Sequence, residues 1–352
     1  MGIILMDRGF RDARIKIMGI GGGGSNAVDY MVRRGLPTTL TIAANTDKQA
    51  LARSSAEYKL QAGKEVTQGL GAGGDPEVGE RAMREAAEEV RQVLSNADMV
   101  FLTAGMGGGT GTGGIQVAAE ICQEMGILTV AVVTLPFSWE GPKRMEIARE
   151  WLKRLEDKVD TLLVIPNDKL QELFPDMEAV HAFEKSNEVL YEAVSGIVDI
   201  IVTTGLINVD FADVRKVMQM RGRAVMGSGL GEGENRAKEA ARASISSPLL
   251  ERMSIRGAKG ILVNITHGPD LKMAEITEIT SFILEEARDG KNKPLLIFGD
   301  TPKKEMNGKV KVTVIATGIE QRQRAWDPWA TPADPWSAPP DSPSELFGDD
   351  QF

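Results

Sequence analysis

The stretch Gly107-Gly108-Gly109-Thr110-Gly111-Thr112-Gly113 decides the fold of this chain. Consecutive glycines adopt backbone conformations that are closed to other residues, so their N–H groups can converge on one anion, and the two threonines add hydroxyl donors. The apolar residues 98–105 before it predict a buried strand, and residues 115–126 after it predict a helix. A helix N-terminus is positive and favours phosphate. Glycine loops also serve as plain tight turns, but the interleaved hydroxyls favour the phosphate interpretation.

Two more glycine-rich loops precede predicted helices. Gly21-Gly22-Gly23-Gly24-Ser25-Asn26 follows a strand at residues 15–20 and leads into a helix over residues 27–34. Together with Gly19 it satisfies G-x-G-x-x-G, which alone is a weak dinucleotide signal. Residues 69–74 form the other loop, before a helix that begins near Pro76. Three loops of this kind predict one extended phosphate site.

A further strand, residues 39–44, ends in Asn45-Thr46-Asp47, where an acidic residue is placed to bind a ribose. The chain has no G-x-x-x-x-G-K-[ST] string, so it is not a P-loop protein. Without the P-loop lysine, helix dipoles and a metal ion have to offset the phosphate charge. We assign no residues as ligands of that metal.

Composition excludes several classes of function. The net charge of −9 argues against binding to nucleic acid or to an anionic membrane surface. Cys122 is the only cysteine, so we expect a small core residue in a reducing cytoplasm and no disulfide. Only two histidines occur, which argues against a histidine triad or metal site. No run approaches eighteen apolar residues, and we expect no direct membrane insertion.

The hydrophobic pattern divides the chain into segments. Short apolar strands alternate with helices over residues 13–178, which predicts a parallel sheet covered on both faces. A long helix follows, with an apolar stripe that packs on a core and Gly205 as its expected C-cap. The predicted segments are an N-terminal extension (1–12), a nucleotide-binding domain (13–178), the long helix (179–203), a loop and short helix (204–221), an α+β layer of four strands and two helices (222–318) and a disordered acidic tail rich in Pro and Trp (319–352).

The glycine-threonine stretch resembles the signature of the tubulin/FtsZ family of GTPases, and further stretches match its bacterial cell-division branch. These are GGGGSNAV, NTDKQAL, GLGAGGDPEVG, LTVAVVTLPFSWEGPKRM, IPNDKL, GLINVDFADVRKVM and SSPLL. The resemblance covers about residues 13–318. It implies an α/β, tubulin/FtsZ-like fold with a parallel-sheet GTPase domain, a long central helix and a smaller α+β C-terminal domain. It also implies GTP and GDP as ligands with Mg²⁺, and head-to-tail polymerisation into the cytoplasmic ring at midcell.

The resemblance also assigns nucleotide contacts. It makes Gly21 to Asn26 and Gly107 to Gly113 the di- and triphosphate cradle, and Phe183 and Asn187 the pair that stacks on and hydrogen-bonds guanine. Helical i,i+4 spacing alone puts those two side chains on one face, although Phe183 as an ordinary core residue is the serious alternative. The other contacts are Ala72, Gly73 and Gly74 at the γ-phosphate, Glu140 and Arg144 at ribose and phosphate, and Asn45, Asp47 and Asn167.

Asn208, Asp210 and Asp213 form a second group, in NVDFADV. Asp213 could merely cap the next helix. The family interpretation is that the carboxylates reach the nucleotide of the neighbouring subunit and hold the attacking water. A site divided in this way hydrolyses GTP only when the protein is assembled.

Three other functions compete with the polymerising GTPase. One is a nicotinamide-dependent oxidoreductase built on G-x-G-x-x-G, which leaves NVDFADV unexplained. The others are a co-assembling paralogue that hydrolyses GTP poorly and a plasmid-segregation tubulin homologue.

The tail departs from the family pattern. Asp341-Ser342-Pro343-Ser344-Glu345-Leu346 fits the D-x-P-x-x-L peptide that docks on membrane adaptors only loosely, and no Lys or Arg follows Arg324. We therefore expect partners in the chain itself and, through this tail, in membrane-adaptor and division proteins. The alternative is that the acidic tail only aids solubility.

Overall fold

The computed structural model describes residues 13–36, 41–174, 176–203, 205–220, 223–247, 254–290 and 293–319. The predicted N-terminal extension and, apart from Ile319, the predicted tail lie outside the described residues. The strands are β1 Ile15–Ile20, β2 Thr41–Asn45, β3 Tyr58–Gln61, β4 Met99–Gly105, β5 Leu128–Leu135, β6 Thr161–Pro166, β7 Arg223–Glu232, β8 Gly260–His267, β9 Leu295–Pro302 and β10 Lys309–Ile319. The helices are α1 Gly21–Arg33, α2 Lys48–Arg53, α3 Pro76–Glu85, α4 Ala87–Leu94, α5 Thr110–Glu124, α6 Pro142–Glu156, α7 Asn167–Leu173, α8 Ala179–Val202, α9 Phe211–Met218, α10 Arg236–Ile245 and α11 Met273–Ala287.

The described strands form one sheet in the order β3-β2-β1-β4-β5-β6-β7-β10-β8-β9. From β3 to β6 every pairing is parallel, as the alternation of strands and helices predicts. Beyond β6 the pattern changes, because β10 runs antiparallel to both β7 and β8. Within the described sheet, β6 and β7 are joined in parallel through two residue pairs, Leu162 with Arg223 and Leu163 with Ala224.

The long helix α8 matches its predicted range and packs as predicted. Its stripe of Leu190, Val194, Ile197 and Val198 is buried in the same core as β1, β4 and β5. Burial of four such side chains contributes roughly 1.5–3 kcal/mol each relative to leaving them in water. A second core lies between α10, α11 and strands β8 and β10.

Two predicted helix starts are wrong. Helix α1 begins at Gly21 rather than residue 27, and α5 begins at Thr110 rather than residue 115. Glycine runs have low helix propensity, which is why the sequence favours loops there. Close packing overrides the propensity: a Cβ on Gly24 would lie 2.4 Å from the Thr103 carbonyl oxygen, and one on Gly113 would lie 1.9 Å from that of Pro76.

The prediction that Gly205 caps α8 is also wrong. The C-cap is Thr203, whose N–H donates to the Asp199 carbonyl at 2.9 Å. Gly205 stands beyond the cap, and a Cβ there would lie 2.4 Å from the backbone oxygen of Asp300. Glycine is needed at this position because the loop passes close to β9.

Candidate nucleotide site

The two main glycine segments meet at the carboxyl ends of β1 and β4. These strands are neighbours in parallel register, with Ile20 opposite Ala104. From β1 the chain continues to β2 on one side of the sheet, and from β4 it continues to β5 on the other side. This edge is therefore the switch point, where open α/β sheets bind ligands. A Cβ on Gly21 would lie 2.7 Å from the Gly111 nitrogen, so the two helix N-termini touch.

Both of these helix N-termini lack a capping side chain among the described residues. Neither Ile20 before α1 nor Gly109 before α5 provides a side-chain hydrogen bond, and neither first turn contains an acidic residue. By contrast, Asp47 caps α2 and Asp75 caps α3. The first-turn N–H groups of α1 and α5 therefore remain available to an anion.

The glycines of these segments fall into two groups. A Cβ on Gly109 would lie 2.8 Å from the Ala72 Cβ and 2.9 Å from the Asp75 nitrogen, so Gly109 packs against the residue 69–75 loop. On Gly22, Gly108, Gly73 and Gly74, a Cβ would meet no protein atom within 4 Å. The second group surrounds open space, which fits a phosphate cradle with backbone donors.

The two threonines of the stretch have different surroundings. The Thr110 hydroxyl lies 2.6 Å from the Thr46 hydroxyl and joins the helix to the end of β2. Thr112 is fully buried, and its hydroxyl oxygen accepts the Gly107 N–H at 2.9 Å. Thr112 therefore holds the shape of the loop, and the prediction that its hydroxyl also donates to an anion stays a prediction.

Some of the remaining polar residues near the cradle already form hydrogen bonds within the protein. Asn45 accepts the Asp47 N–H at 3.1 Å, and Asp47 accepts the N–H groups of Gln49 and Ala50 at 2.8 and 3.0 Å. Ser25 differs, since its buried hydroxyl has no hydrogen-bond partner in the part of the chain that the structure describes. Buried polar atoms are nearly always satisfied, so this orphaned hydroxyl at the cradle is consistent with a ligand-binding role. Asn26 is exposed beside it.

An aromatic cluster lies where the segment after β5 meets the start of α8. Phe137 and Trp139 stack at 5.1 Å, and both contact the edge of Phe183, at 5.5 and 5.9 Å between ring centroids. Phe183 is 48% exposed and Trp139 57% exposed. The alternative that Phe183 is an ordinary core residue is therefore wrong. Large exposed rings on one wall of a site are suited to stacking on a planar base.

Polar contacts position this wall. Glu140 accepts the Phe137 N–H at 2.9 Å and forms an ion pair with Arg144. The first turn of α6 lies close to the glycine loop, because a Cβ on Gly107 would be 2.6 Å from the Arg144 carbonyl oxygen. Glu140 and Arg144 thus lie between the cradle and the aromatic cluster.

The start of α8 is fixed by α7. Asn167 is buried, and its Oδ1 accepts the Ser186 hydroxyl at 2.9 Å, one residue before Asn187. Asp168 accepts the Ser138 N–H at 2.8 Å, which places the segment that carries Trp139. Asn167 therefore holds the part of α8 that carries Phe183 and Asn187 through its bond to Ser186.

The structure does not bring Asn208, Asp210 and Asp213 to this site. They follow the opposite end of α8, whose 24 residues span about 36 Å. Asp210 is exposed at the N-cap position of α9, and Asp213 lies in the first turn, 3.0 Å from the Lys216 ammonium. The alternative that Asp213 caps α9 is wrong. Asn208 accepts the Gly205 N–H at 3.0 Å.

Sequence reasoning missed two residues at the site, Thr46 and Trp139. The sequence could have indicated Trp139, because a large aromatic residue stands there in a loop between a buried strand and Gly141-Pro142, where it is not part of a core-forming element. Thr46 gives none, because its contact with Thr110 depends on the neighbouring positions of β2 and β1 in the sheet.

Two kinds of feature are absent from the described ranges. No group of three or more His, Cys, Asp and Glu side chains there is arranged to hold a metal ion. No helix among those residues is long and apolar enough to cross a membrane.

Family comparisons agree with this geometry. Residues 14–175 match the Tubulin/FtsZ family GTPase domain, and residues 222–320 match the FtsZ family C-terminal domain. The chain belongs to the FtsZ family. That membership excludes the nicotinamide-dependent oxidoreductase, because a GTPase domain covers the G-x-G-x-x-G match.

Individual relatives confirm the membership. The chain is 49% identical to Cell division protein FtsZ of Coxiella burnetii over 310 residues, which are 88% of this chain and 80% of the relative. It is 49% identical to the Pseudomonas aeruginosa protein of the same name over 319 residues, 90% and 80% of the two chains. An FtsZ dimer from M. jannaschii matches with a TM-score of 0.82 and 44% identity over 88% and 89% of the chains. CetZ1 from Haloferax volcanii, at 21% identity and a TM-score of 0.75 over 88% and 95%, shares the fold.

Proposed function

We propose that this protein hydrolyses GTP at an active site shared between two subunits of a head-to-tail filament that serves cell division. One observation carries the proposal. The phosphate cradle lies at the carboxyl ends of β1 and β4, whereas Asp210 and Asp213 follow the end of α8, about 36 Å along that helix from its start, so we infer that one subunit cannot supply both halves. Head-to-tail stacking would bring the end of one subunit onto the cradle of the next.

The cradle half would bind and orient GTP. The uncapped N–H groups of α1 and α5 are donors for phosphate oxygens, and the open space at Gly22 and Gly108 admits them. Phe183 would stack on guanine, and the Asn187 amide, one helical turn on, would hydrogen-bond it. An amide offers both a donor and an acceptor, as the Watson–Crick edge of guanine requires.

The carboxylate half would act on water. A water oxygen attacks the γ-phosphorus, the bond from that phosphorus to the β–γ bridging oxygen breaks, and GDP and inorganic phosphate form. Asp210 or Asp213 of the adjacent subunit would orient the water and take up its proton, with Asn208 holding the loop. Mg²⁺ typically binds through substrate phosphates and few protein ligands, so we propose that it enters with GTP.

The test is complementation between two inactive variants. Asp213→Ala should bind GTP and hydrolyse it poorly, and Gly108→Ala should bind GTP weakly while keeping its carboxylates, so the mixture is assayed at a GTP concentration that fills only the intact cradle. In a mixture, the cradle of the first variant meets the carboxylates of the second, so phosphate release should exceed the sum of the two alone. A mixture that releases no more than that sum would contradict the shared site.

The tail forms the last part of the proposal. We propose that residues 341–347 recruit filaments to a membrane adaptor at midcell in the cytoplasm. Leu346 and Phe347 are adjacent apolar residues in an acidic, proline-rich setting and are the best anchors. A peptide of residues 338–352 should retain a division or membrane-adaptor protein from extract of the native cell. Equal retention by the Leu346→Ala peptide, or no retention at all, would leave the acidic tail as a solubility element.

A further inference from the structure

Asp300, at the end of β9, makes contacts that the proposed mechanism has not used. Its side chain is almost fully buried. One carboxylate oxygen accepts the Leu206 N–H at 3.0 Å, and the other accepts the Ile207 N–H at 2.5 Å. Both donors belong to the loop that carries Asn208 and Asp210. A Cβ on Gly205 would lie 2.7 Å from each of those oxygens, so the loop closes directly over the carboxylate.

His267, at the end of the neighbouring strand β8, holds Asp300 from the other side. Its Nε2 lies 2.9 Å from the Asp300 carboxylate, and its Nδ1 lies 2.6 Å from the Gly268 carbonyl oxygen. Both ring nitrogens thus face oxygen atoms, and His267 can donate a hydrogen bond from Nε2 to the Asp300 carboxylate. Burial raises the pKa of Asp300, but the bonds from His267, Ile207 and Leu206 outweigh it and leave that pKa below its ordinary value.

Side chains of the loop alternate between core and solvent. Ile207 and Val209 pack against the two cores, while Leu206, Asn208 and Asp210 are exposed, Leu206 to 75%. Apolar packing therefore attaches the loop to the protein but contacts only every second residue. The orientation of the peptide planes before Asn208 is set by the two bonds to Asp300 and by the bond from Gly205 to Asn208.

We propose that Asp300, oriented by His267, is a positioning residue that sets the loop geometry needed for catalysis on the neighbouring subunit's GTP. Asp300 would act through the loop backbone and contact no substrate. Strands β8 and β9 lie within the FtsZ C-terminal domain, so this domain would contribute to hydrolysis as well as to the fold. The inference rests on the proposed shared active site.

The test variant is Asp300→Asn, which keeps the shape but loses the charge and turns a donor toward a backbone N–H. GTP affinity, measured below the assembly concentration, should stay within about twofold of wild type, because the cradle is at the other end of α8. Turnover per assembled subunit should fall at least tenfold. His267→Gln keeps one donor toward Asp300 and should show a smaller loss, and it serves as the variant if Asp300→Asn does not fold.

Arg236→Met is the matched control. Arg236 is a buried cation of the same domain, paired with Glu275 at 2.7 Å and with Asp270, and none of these bonds reaches the loop. Its loss should lower stability and leave turnover per assembled subunit near wild type. If Arg236→Met loses as much turnover as Asp300→Asn, the effect of Asp300 is general destabilisation and the inference is wrong.

Complementation separates positioning from a structural role. Asp300→Asn retains its own cradle, and Gly108→Ala subunits have an intact loop. Adding Gly108→Ala subunits to Asp300→Asn should therefore restore turnover to the level that the mixture of Asp213→Ala and Gly108→Ala reaches. Absence of rescue, or wild-type turnover by Asp300→Asn alone, overturns the inference if Asp213→Ala behaves as proposed. If Asp213→Ala itself keeps full turnover, the proposal of a shared active site is contradicted. That result is distinguishable from a failure of the Asp300 inference alone.

Discussion

Gly108→Ala should weaken GTP binding while leaving the protein folded. The added methyl group meets no protein atom within 4 Å, and the φ of Gly108 is outside the left-handed region. Replacing glycine by alanine at a compatible position restricts the unfolded chain, so stability should stay unchanged or rise by roughly 0.4–1 kcal/mol. The space that the methyl group enters is the space that we assign to a phosphate oxygen.

The loss of affinity follows from the contacts that the methyl group would displace. One hydrogen bond to a charged group contributes roughly 1.5–3 kcal/mol. Since about 1.4 kcal/mol is a factor of ten, losing one phosphate contact should weaken GTP binding about 10- to 150-fold.

Gly113→Ala is the matched contrast, because Gly113 lies five residues after Gly108 in the first turn of α5. Its Cβ would lie 1.9 Å from the Pro76 carbonyl oxygen and 2.5 Å from the Glu80 nitrogen, both backbone atoms of α3. Helix α5 would have to move away from α3, at a cost of roughly 1–3 kcal/mol or more. This variant should therefore be destabilised whether or not GTP is present.

Two measurements separate the variants: urea unfolding without nucleotide, and equilibrium binding of a fluorescent GTP analogue below the assembly concentration. Gly108→Ala should unfold like wild type and bind weakly, and Gly113→Ala should unfold at lower urea. Wild-type GTP affinity in a folded Gly108→Ala protein would refute the placement of the phosphates.

Three further predictions concern other parts of the molecule. Asn187→Ala should weaken GTP binding by roughly 1–3 kcal/mol, measured by displacement of a fluorescent GTP analogue. In the same assay, equal affinity of the wild type for ATP and GTP would exclude guanine recognition. Burial raises the pKa of Cys122 to about 12, so a thiol reagent at pH 8 should label the protein only after unfolding, and rapid labelling of the native state would contradict this. The pKa of Asp300 is below its ordinary 3.8, so its stabilisation is present above that pH and lost below the folded value. The unfolding free energies of wild type and Asp300→Asn should converge in acid, and a constant difference down to pH 2 would contradict that.

The sequence predicts the fold well where the pattern is local. Strand β4, helix α8 and the strands and helices of residues 223–319 follow from hydrophobic periodicity, which needs no partner to be recognised. Strand β3 is missed, because Tyr58 and Lys59 are exposed at the sheet edge and the segment lacks an apolar run. The starts of α1 and α5 are missed because packing against Thr103 and Pro76, rather than propensity, makes those glycines helical.

Prediction of the site is limited in the same way, because local patterns are visible in the sequence and tertiary contacts are not. The glycine loops are visible as strings, and their convergence follows from the strand order. No string shows that Thr112 is turned inward to Gly107, since that bond depends on the shape of the folded loop. The link from Asp300 to Leu206 joins residues 94 positions apart, which periodicity and local spacing cannot reveal.

Turnover of GTP by wild-type protein, followed as phosphate release per molecule across protein concentrations with Mg²⁺, tests the shared active site most directly. Because Asp210 and Asp213 follow the far end of α8 and are not brought to the cradle of their own subunit, we expect negligible turnover in isolated subunits. Turnover per molecule should rise above a threshold concentration, at the point where light scattering reports filaments. Turnover per molecule that stays constant from below that threshold to well above it would contradict the account.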